Sequence, residues 1–454
     1  MNAIMVDSGK PAARGHLLRV FGMAFALAIV IGNTIGSGIL RVPGEVTAHL
    51  PGMGWIMAVW VAGGVNALLG ATAYAELGAT IPCAGGPYVF ARRALGDYAG
   101  FFVGYVNWIQ SCAAQAAIAL VVGEYSAILS PALAGRTHTV ATAVFLALVA
   151  LNWVQVRVGG WTQKLTSLAK VLGLGALVVA AFSMPHPEQA TGAVLPMPHG
   201  LGLLAALALA MQGVIYTYNG YHDPVYFGEE LRDPGREIPR SIFRGLFLII
   251  ALYLLLNAAF LWVIPLGELA HDPFAGGTVA QVLFGAHGTQ LITLIVVISM
   301  IGTLNAGVLG MPRVVLAMGR DRLFPWQATH VNRGGTPDVA LVATVLVTLA
   351  FLLSGTFQNV LKVAATLMVV QYSLMFVSVF VLRRREPELP RPYRAWGYPW
   401  TTGAGLAISV AFLVGVAAAD PKHSWIALAL LLASYPLFRG VLVLRGDDGT
   451  WRKP

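Results

Sequence analysis

Apolar runs of about twenty residues recur from residue 17 to residue 444 of this chain, with short polar connections between them. A helix of about twenty apolar residues crosses a hydrocarbon core of about 30 Å. Charged residues make up 11% of the chain and hydrophobic residues 57%. A soluble domain carries roughly 25% charged residues, so a soluble core is excluded. The pattern predicts an all-α integral membrane protein with twelve transmembrane helices, at 17–48, 53–79, 98–129, 138–155, 163–183, 202–228, 242–264, 289–318, 338–354, 357–382, 400–419 and 424–444. No stretch is left over for a soluble domain, and 1–454 reads as a single transmembrane domain.

An even number of spans puts both termini on one side, and charge says which. The chain carries 29 Lys and Arg. With the N-terminus in the cytoplasm, only Arg136 and Lys422 fall on outer segments. Arg41, Lys170, Arg313 and Lys362 fall inside spans away from their inner ends, and all the others lie on inner segments or at the inner ends of spans. This is the positive-inside pattern, and shifting one middle span would scramble it. The net charge of +9 therefore reads as basic cytoplasmic loops, not as a nucleic-acid footprint. Met1 to His16 reads as a short cytoplasmic tail without a cleavable signal peptide. Cys83 and Cys112 have no metal or redox spacing and read as free apolar cysteines. The outer loop Pro265 to Gly288 contains a short helical run, Thr278 to Gly285, suited to cap an outer vestibule. The inner segment Tyr88 to Leu95 reads as an interfacial helix.

Span 1 is too long for one straight helix, and its middle is Ile31-Gly32-Asn33-Thr34-Ile35-Gly36-Ser37-Gly38-Ile39. Glycine frees the backbone to leave helical angles. The exposed N–H and C=O groups must then face protein or a polar ligand, because lipid cannot satisfy them. A helix restarting near Ile39 points free N–H groups and its positive dipole end at the break, which suits a carboxylate. A lone Gly-Ser-Gly also fits plain helix packing. Span 6 tilts the balance. Its middle, Tyr216-Thr217-Tyr218-Asn219-Gly220-Tyr221-His222-Asp223-Pro224, is again polar and aromatic, and Pro224 disfavours helix at Asp223. Spans 1 and 6 run in opposite directions. Two interrupted helices at corresponding places of inverted halves point to a transporter's central site.

These residues resemble the amino acid–polyamine–organocation superfamily, nearest to L-type amino acid transporters and their bacterial relatives. The likeness rests on Ile31-Gly32 through Gly36-Ser37-Gly38-Ile39, Ala75-Glu76-Leu77-Gly78 and Gly85-Gly86-Pro87-Tyr88. It continues in Glu229-Glu230 with Asp233-Pro234, Ile238-Pro239-Arg240, Asn305-Ala306-Gly307 and Gly319-Arg320. It ends on Pro387 through Arg394 with Trp396-Gly397-Tyr398-Pro399. The resemblance implies a leucine-transporter-type 5+5 inverted repeat with discontinuous helices 1 and 6. Repeat one would cover about 17–183 and repeat two about 202–382, with two C-terminal helices at about 400–444. It implies that the backbone of Gly36, Ser37 and Gly38 holds a substrate carboxylate, with carbonyls near Thr34 and Ile35 and at Tyr216 and Asn219 taking the ammonium. Tyr216 would gate the pocket from outside, and Tyr221 and His222 would line it. Asn219 departs from the glycine common in close relatives, and His222-Asp223-Pro224 replaces a mostly neutral stretch. The outer loop after span 3 lacks the cysteine that joins animal L-type transporters to a heavy subunit, so no heavy-chain partner is expected.

Lys170 lies about seven residues into span 5. A bare intramembrane lysine costs on the order of 3 kcal/mol on insertion scales and needs a partner or a task. By the resemblance it fills the cavity that sodium occupies in sodium-coupled relatives, meeting carbonyls of the span 1 break and Ser299. Arg41 admits two readings, lining an outer vestibule or reaching water. Glu76 and Glu124 read as structural or solvated. Asp223 reads as a cap for the helix restarting at Pro224; with His222 it also fits a proton relay or a contact to a cationic side chain. Glu229 and Glu230 with Arg232 and Arg236 read as an inner ion-pair cluster.

No nucleotide loop, metal motif or nucleophile set emerges, so neither enzyme chemistry nor a cofactor is expected. The expectation is a sodium-independent secondary active transporter in the cell inner membrane, with cytoplasmic termini. It works by alternating access on small to medium neutral amino acids, by exchange or proton coupling. Its expected partners are the free amino acid and the lipid bilayer, with no nucleic acid. A proton-coupled cationic amino acid or polyamine symporter is the rival within the class, and a transporter-like nutrient sensor the rival outside it.

Overall fold

The computed structural model describes residues 17–50, 52–185, 199–270, 272, 274–354, 357–419 and 421–444. The expected tail, Met1 to His16, lies outside them. The described residues are helical, with only two isolated bridges, Phe21 with Leu231 and Ala84 with Phe227. In chain order the helices are α1 (Met23–Thr34), α2 (Gly38–His49), α3 (Met53–Thr80), α4 (Pro87–Leu95), α5 (Asp97–Leu129), α6 (Thr137–Val154), α7 (Val156–Ser183) and α8 (Leu201–Tyr218). They continue with α9 (Pro234–Val263), α10 (Leu266–Leu269), α11 (Ala275–Phe284), α12 (Gly288–Arg320), α13 (Asp338–Ser354), α14 (Phe357–Arg385), α15 (Trp400–Ala419) and α16 (Pro421–Leu444).

Nine helices among the described residues are long and apolar enough to cross a membrane: α3, α5, α6, α7, α9, α12, α14, α15 and α16. A tenth crossing is the pair α1 and α2, bent by 41° at a short break. The apolar helices α8 and α13 are shorter. In α8 the cause is plain, since the helix stops at Tyr218 ahead of Asn219-Gly220. The chain is a multi-span membrane protein. Two starts fall earlier than expected. Helix α7 begins at Val156, and α9 begins at Pro234, where a missing N–H and a preset φ suit the first helical turn.

Small residues set the close approaches. A Cβ at Gly63 of α3 would stand 2.3 Å from Val214 of α8, and one at Gly78 would stand 2.8 Å from Val225. Helices gain no hydrophobic drive from association in lipid, so such close contact supplies van der Waals attraction in its place. The segment read as interfacial, now α4, is more deeply set than expected. Tyr88, Phe90, Ala91 and Ala94 are all buried, and the Tyr88 hydroxyl donates to Asp321 at 2.8 Å. Helix α11 spans the expected run Thr278 to Gly285 almost entirely, and a Cβ at its Gly276 would meet Leu40 of α2 at 2.6 Å.

The acidic cluster expected on the inner side forms, but with other partners than the neighbouring arginines. Glu230 receives two hydrogen bonds from Arg313 of α12, at 2.8 and 2.9 Å, and Glu229 pairs with Arg320 at 2.6 Å. Arg236 pairs instead with Asp233, at 3.8 Å on the surface. The C-terminal turns of α12 pass beside the 229–230 turn, and a guanidinium fork matches a carboxylate bidentately. Glu76 is structural rather than solvated. It is buried, accepts from Arg383 at 2.8 and 2.5 Å and from the Ala395 N–H at 2.6 Å, and so ties α3 to the end of α14. Glu124 is exposed. Cys83 and Cys112 are free.

The side chains of Arg313 and Glu230 are only 1% and 0% exposed. Removing one partner from such a pair leaves an uncompensated buried charge, costing about 3–5 kcal/mol. Glu230→Ala is therefore expected to lower the thermal unfolding midpoint in detergent strongly. Asp233→Ala, which breaks an exposed pair worth about 1 kcal/mol or less, is expected to leave it nearly unchanged.

Candidate functional site

The first break lies between Thr34 and Gly38. Ile35 is extended, with φ −78° and ψ 94°, and α2 restarts at Gly38 without a side-chain cap. Carbonyls around the break are answered by side chains of three neighbouring helices. Lys170 of α7 is completely buried, and its Nζ donates to the Gly32 carbonyl at 2.5 Å, the Ile35 carbonyl at 2.7 Å and Thr303 Oγ1 at 3.0 Å. Ser299 of α12 does not meet Lys170; its hydroxyl donates to the same Ile35 carbonyl at 3.1 Å. Thr303, one turn further along α12, takes the place expected for Ser299. On α7, Ser167 donates to the Ala28 carbonyl at 2.7 Å and Gln163 to the same oxygen at 3.3 Å. The Tyr253 hydroxyl of α9 faces two carbonyls, Thr34 at 2.9 Å and Thr217 at 3.2 Å.

The second break runs from Asn219 to His222, between α8 and a short 3-10 turn, Asp223–Tyr226. Gly220 has φ +106°, where a side chain is strained. A Cβ there would stand 2.9 Å from the Asn33 carbonyl carbon and 3.0 Å from the Thr34 nitrogen. The two breaks therefore touch backbone to backbone. The N-cap of this turn is His222, not Asp223, and among the described residues it makes no side-chain capping bond. The Asp223 carboxylate instead accepts from the Asn33 side chain across the junction of the breaks. The capping reading is corrected here: the turn is four residues long with Asp223 already inside it, and the tertiary partner on α1 wins.

Between the breaks lies a cavity of about 180 Å³. One wall is Asn33, Thr34, Gly36, Ser37 and Gly38. Another is Tyr216, Asn219, His222 and Asp223. Asn107 and Gln115 of α5, Met300 and Thr303 of α12, and Gln371 of α14 are among the residues that close it. The first N–H groups of any helix lack intrahelical acceptors; at α2 the first of them, on Gly38, belongs to this wall, and the Leu40 N–H already bonds the Ser37 carbonyl at 3.1 Å. The cavity thus combines an anion-binding helix start, nearby carbonyls and a polar side-chain lining, a set that suits a small zwitterion.

Most of the predicted residues meet here: Thr34, Gly36, Ser37, Gly38, Tyr216, Asn219 and His222 all line the cavity. Tyr216 is 53% exposed. Two do not line it. Ile35 is buried, with its carbonyl turned to Lys170 and Ser299. Tyr221 packs against α3, its hydroxyl where a Cβ on Gly70 would be and its ring edge-on to Tyr74. His222 stacks on Tyr74 at 4.3 Å between ring centroids. Arg41 does not simply reach water: it donates to the Tyr125 hydroxyl of α5 at 2.7 Å. The sequence reading missed Asn33, Thr303, Tyr253, Asn107, Gln115 and Gln371. For the four amides among them the available signal was a carboxamide inside an otherwise apolar run; Thr303 and Tyr253 gave none.

The chain belongs to the amino acid permease family, whose model matches residues 21–433. It is 28% identical to the serine/threonine exchanger SteT of Bacillus subtilis, over 94% of this chain and 97% of that protein. It is 28% identical to the large neutral amino acids transporter small subunit 2 of Rattus norvegicus, over 86% of this chain and 79% of the relative. With the b(0,+)-type amino acid transporter 1 of Homo sapiens it shares 25% identity, over 86% and 81% of the two chains. The family and these relatives are transporters, not enzymes.

The contact between the breaks generates a test. Gly220→Ala adds left-handed strain of about 1–3 kcal/mol and pushes the α8 break off Asn33. Uptake of labelled amino acid is expected to fall at least tenfold, a margin of about 1.4 kcal/mol. Gly175→Ala, where nothing lies within 4 Å, is expected to behave as wild type.

Proposed function

We propose that this chain is a sodium-independent secondary transporter of small to medium neutral amino acids, working by alternating access through exchange or proton coupling. In this reading α1 with α2, and α8 with its 3-10 turn, each count as one broken crossing, and α13 counts as another, giving twelve. Crossings one to five and six to ten are the inverted repeats, over about 17–183 and 202–382, and α15 and α16 stand outside them. Both termini face the cytoplasm of a bacterial inner membrane. The chain functions without a heavy subunit, since residues 130–136 between α5 and α6 contain no cysteine.

Lys170 is the observation that carries the reading. Its ammonium bridges two carbonyls of the break, on the side of α1 that faces α7 and α12. A fixed positive charge there does the electrostatic work of a bound cation and repels a mobile one. Uptake into proteoliposomes is expected to be indifferent to replacing sodium with choline at constant ionic strength. Lys170→Ala is expected to remove most transport, because two buried carbonyls lose their ammonium donor. A rate that rises saturably with sodium in the wild type is the result that sinks the reading. The zwitterion assignment adds that the decarboxylated amine analogue competes at least tenfold worse than its parent amino acid, about 1.4 kcal/mol.

One observation favours a second reading, transport of cationic amino acids. Asp223 lines the cavity, and its contacts are the uncharged Asn33 and the His222 ring, 3.6 Å away. If Asp223 is a counter-ion, Asp223→Asn costs lysine about 2 kcal/mol of competition and spares alanine. We expect alanine to outcompete lysine in both proteins. The compact cavity and the backbone groups already balance a zwitterion, so a further cation is not required. A nutrient sensor that binds without transporting would give no uptake in any of these assays.

A further inference from the structure

The amides around the cavity are not alike. Asn107 donates to the Tyr226 hydroxyl at 2.6 Å, Gln371 donates to the Tyr74 hydroxyl at 3.5 Å, and Asn219 accepts from the Tyr372 hydroxyl. Gln115 differs. It is 3% exposed and lines the cavity, and neither its amide oxygen nor its amide nitrogen has a hydrogen-bond partner among the described residues. His222 is 5% exposed on the same cavity, and its Nδ1 also lacks a partner. Gln115 is held in place by its stem. A Cβ on Gly307 of α12 would stand 2.9 Å from its amide carbon and 3.0 Å from its Cγ, so the side chain lies across that glycine.

A buried amide is paired in the great majority of proteins. Gln115 lines the cavity, so a ligand bound there is the partner this site offers it. A ligand with an apolar side chain then leaves both amide atoms unanswered, and a site with unanswered polar groups rejects such a ligand. An ammonium side chain only donates and a carboxylate only accepts, so each answers half of the amide. A hydroxyl or a carboxamide answers both.

We propose that Gln115, assisted by His222, is a specificity-determining residue that recognises the substrate side chain, and that the preferred substrates are neutral amino acids bearing a hydroxyl or carboxamide. This rests on the reading above, in which the backbone of Gly36 to Gly38 holds the carboxylate and the side chain points elsewhere in the cavity.

Threonine and valine have the same shape and differ by a hydroxyl, so they form the probe pair. In proteoliposomes of the full chain, threonine is expected to compete with labelled alanine at least tenfold better than valine. In Gln115→Leu the ratio is expected to fall to within about threefold, as it would for a site that no longer hydrogen-bonds the side chain. Equal competition by threonine and valine in the wild type overturns the proposal, as does an unchanged ratio in Gln115→Leu. Gln115→Met, which keeps the unbranched stem across Gly307, replaces the leucine variant if that protein does not fold. Alanine uptake by the wild type separates the two failures. Uptake of alanine without discrimination between threonine and valine removes only the side-chain assignment. No uptake of any amino acid removes the transport reading and this proposal together.

Discussion

Interrupting a helix inside a bilayer uncovers carbonyls that lipid cannot answer, and in this chain the answer comes from three neighbouring helices. Gln163, Ser167 and Lys170 stand at helical spacing along one face of α7 and all reach α1. Ser299 and Thr303 do the same from α12, and Tyr253 from α9. The middle of the opposite face of α7 is apolar, with Leu165, Leu168 and Leu172 exposed. A membrane helix with its polar stripe inward and its leucines outward inverts the soluble pattern. Here that stripe exists to serve a neighbour's backbone. Cavity, break and surrounding helices are consequently one construction: the break makes the binding groups available, and the polar stripes keep it open.

Buried charge follows a parallel rule at the Glu229–Glu230 turn. The fully desolvated pair Arg313 and Glu230 is bidentate, and Arg313 also lies over the Phe227 ring at 5.3 Å. Asp321 accepts from Tyr88 and pairs with Arg92 at 2.7 Å, and Arg92 also pairs with Asp97. These contacts bind α4, α5, α12 and the segment after α8 at one end of the bundle. The buried pair of Arg313 and Glu230 is a poor source of net stability but strict about geometry, because it loses heavily when one partner moves away; the Arg92 pairs are partly exposed and weaker.

What was legible in the sequence followed the reach of each rule. Hydropathy located the crossings, since length and apolarity are local properties. Glycine and polar residues inside apolar runs located both breaks. The carboxylate of Asp223 went astray because a capping rule looks only at adjacent residues, while the group that decided its role was Asn33, 190 positions away. Glu229 and Glu230 were matched with the arginines nearest in sequence for the same reason. Lys170 drew notice because charge is rare in a membrane; Ser167, Gln163 and Thr303 are merely polar and passed as ordinary. Reading α7 as a face rather than residue by residue would have found two of them. Gln115 was legible only as an amide in an apolar run, and its lack of a partner required the structure.

The hydroxyl of Tyr253 has one hydrogen and two carbonyl neighbours, Thr34 at the end of α1 and Thr217 near the end of α8. That one hydrogen is shared between them or turned to one of them, so neither carbonyl has a donor of its own. The two interrupted helices are thus rivals for a single proton, and whichever loses keeps a weaker hold on α9. A shared donor of this kind couples the two helix ends, since the hold that α9 has on one depends on where the other stands.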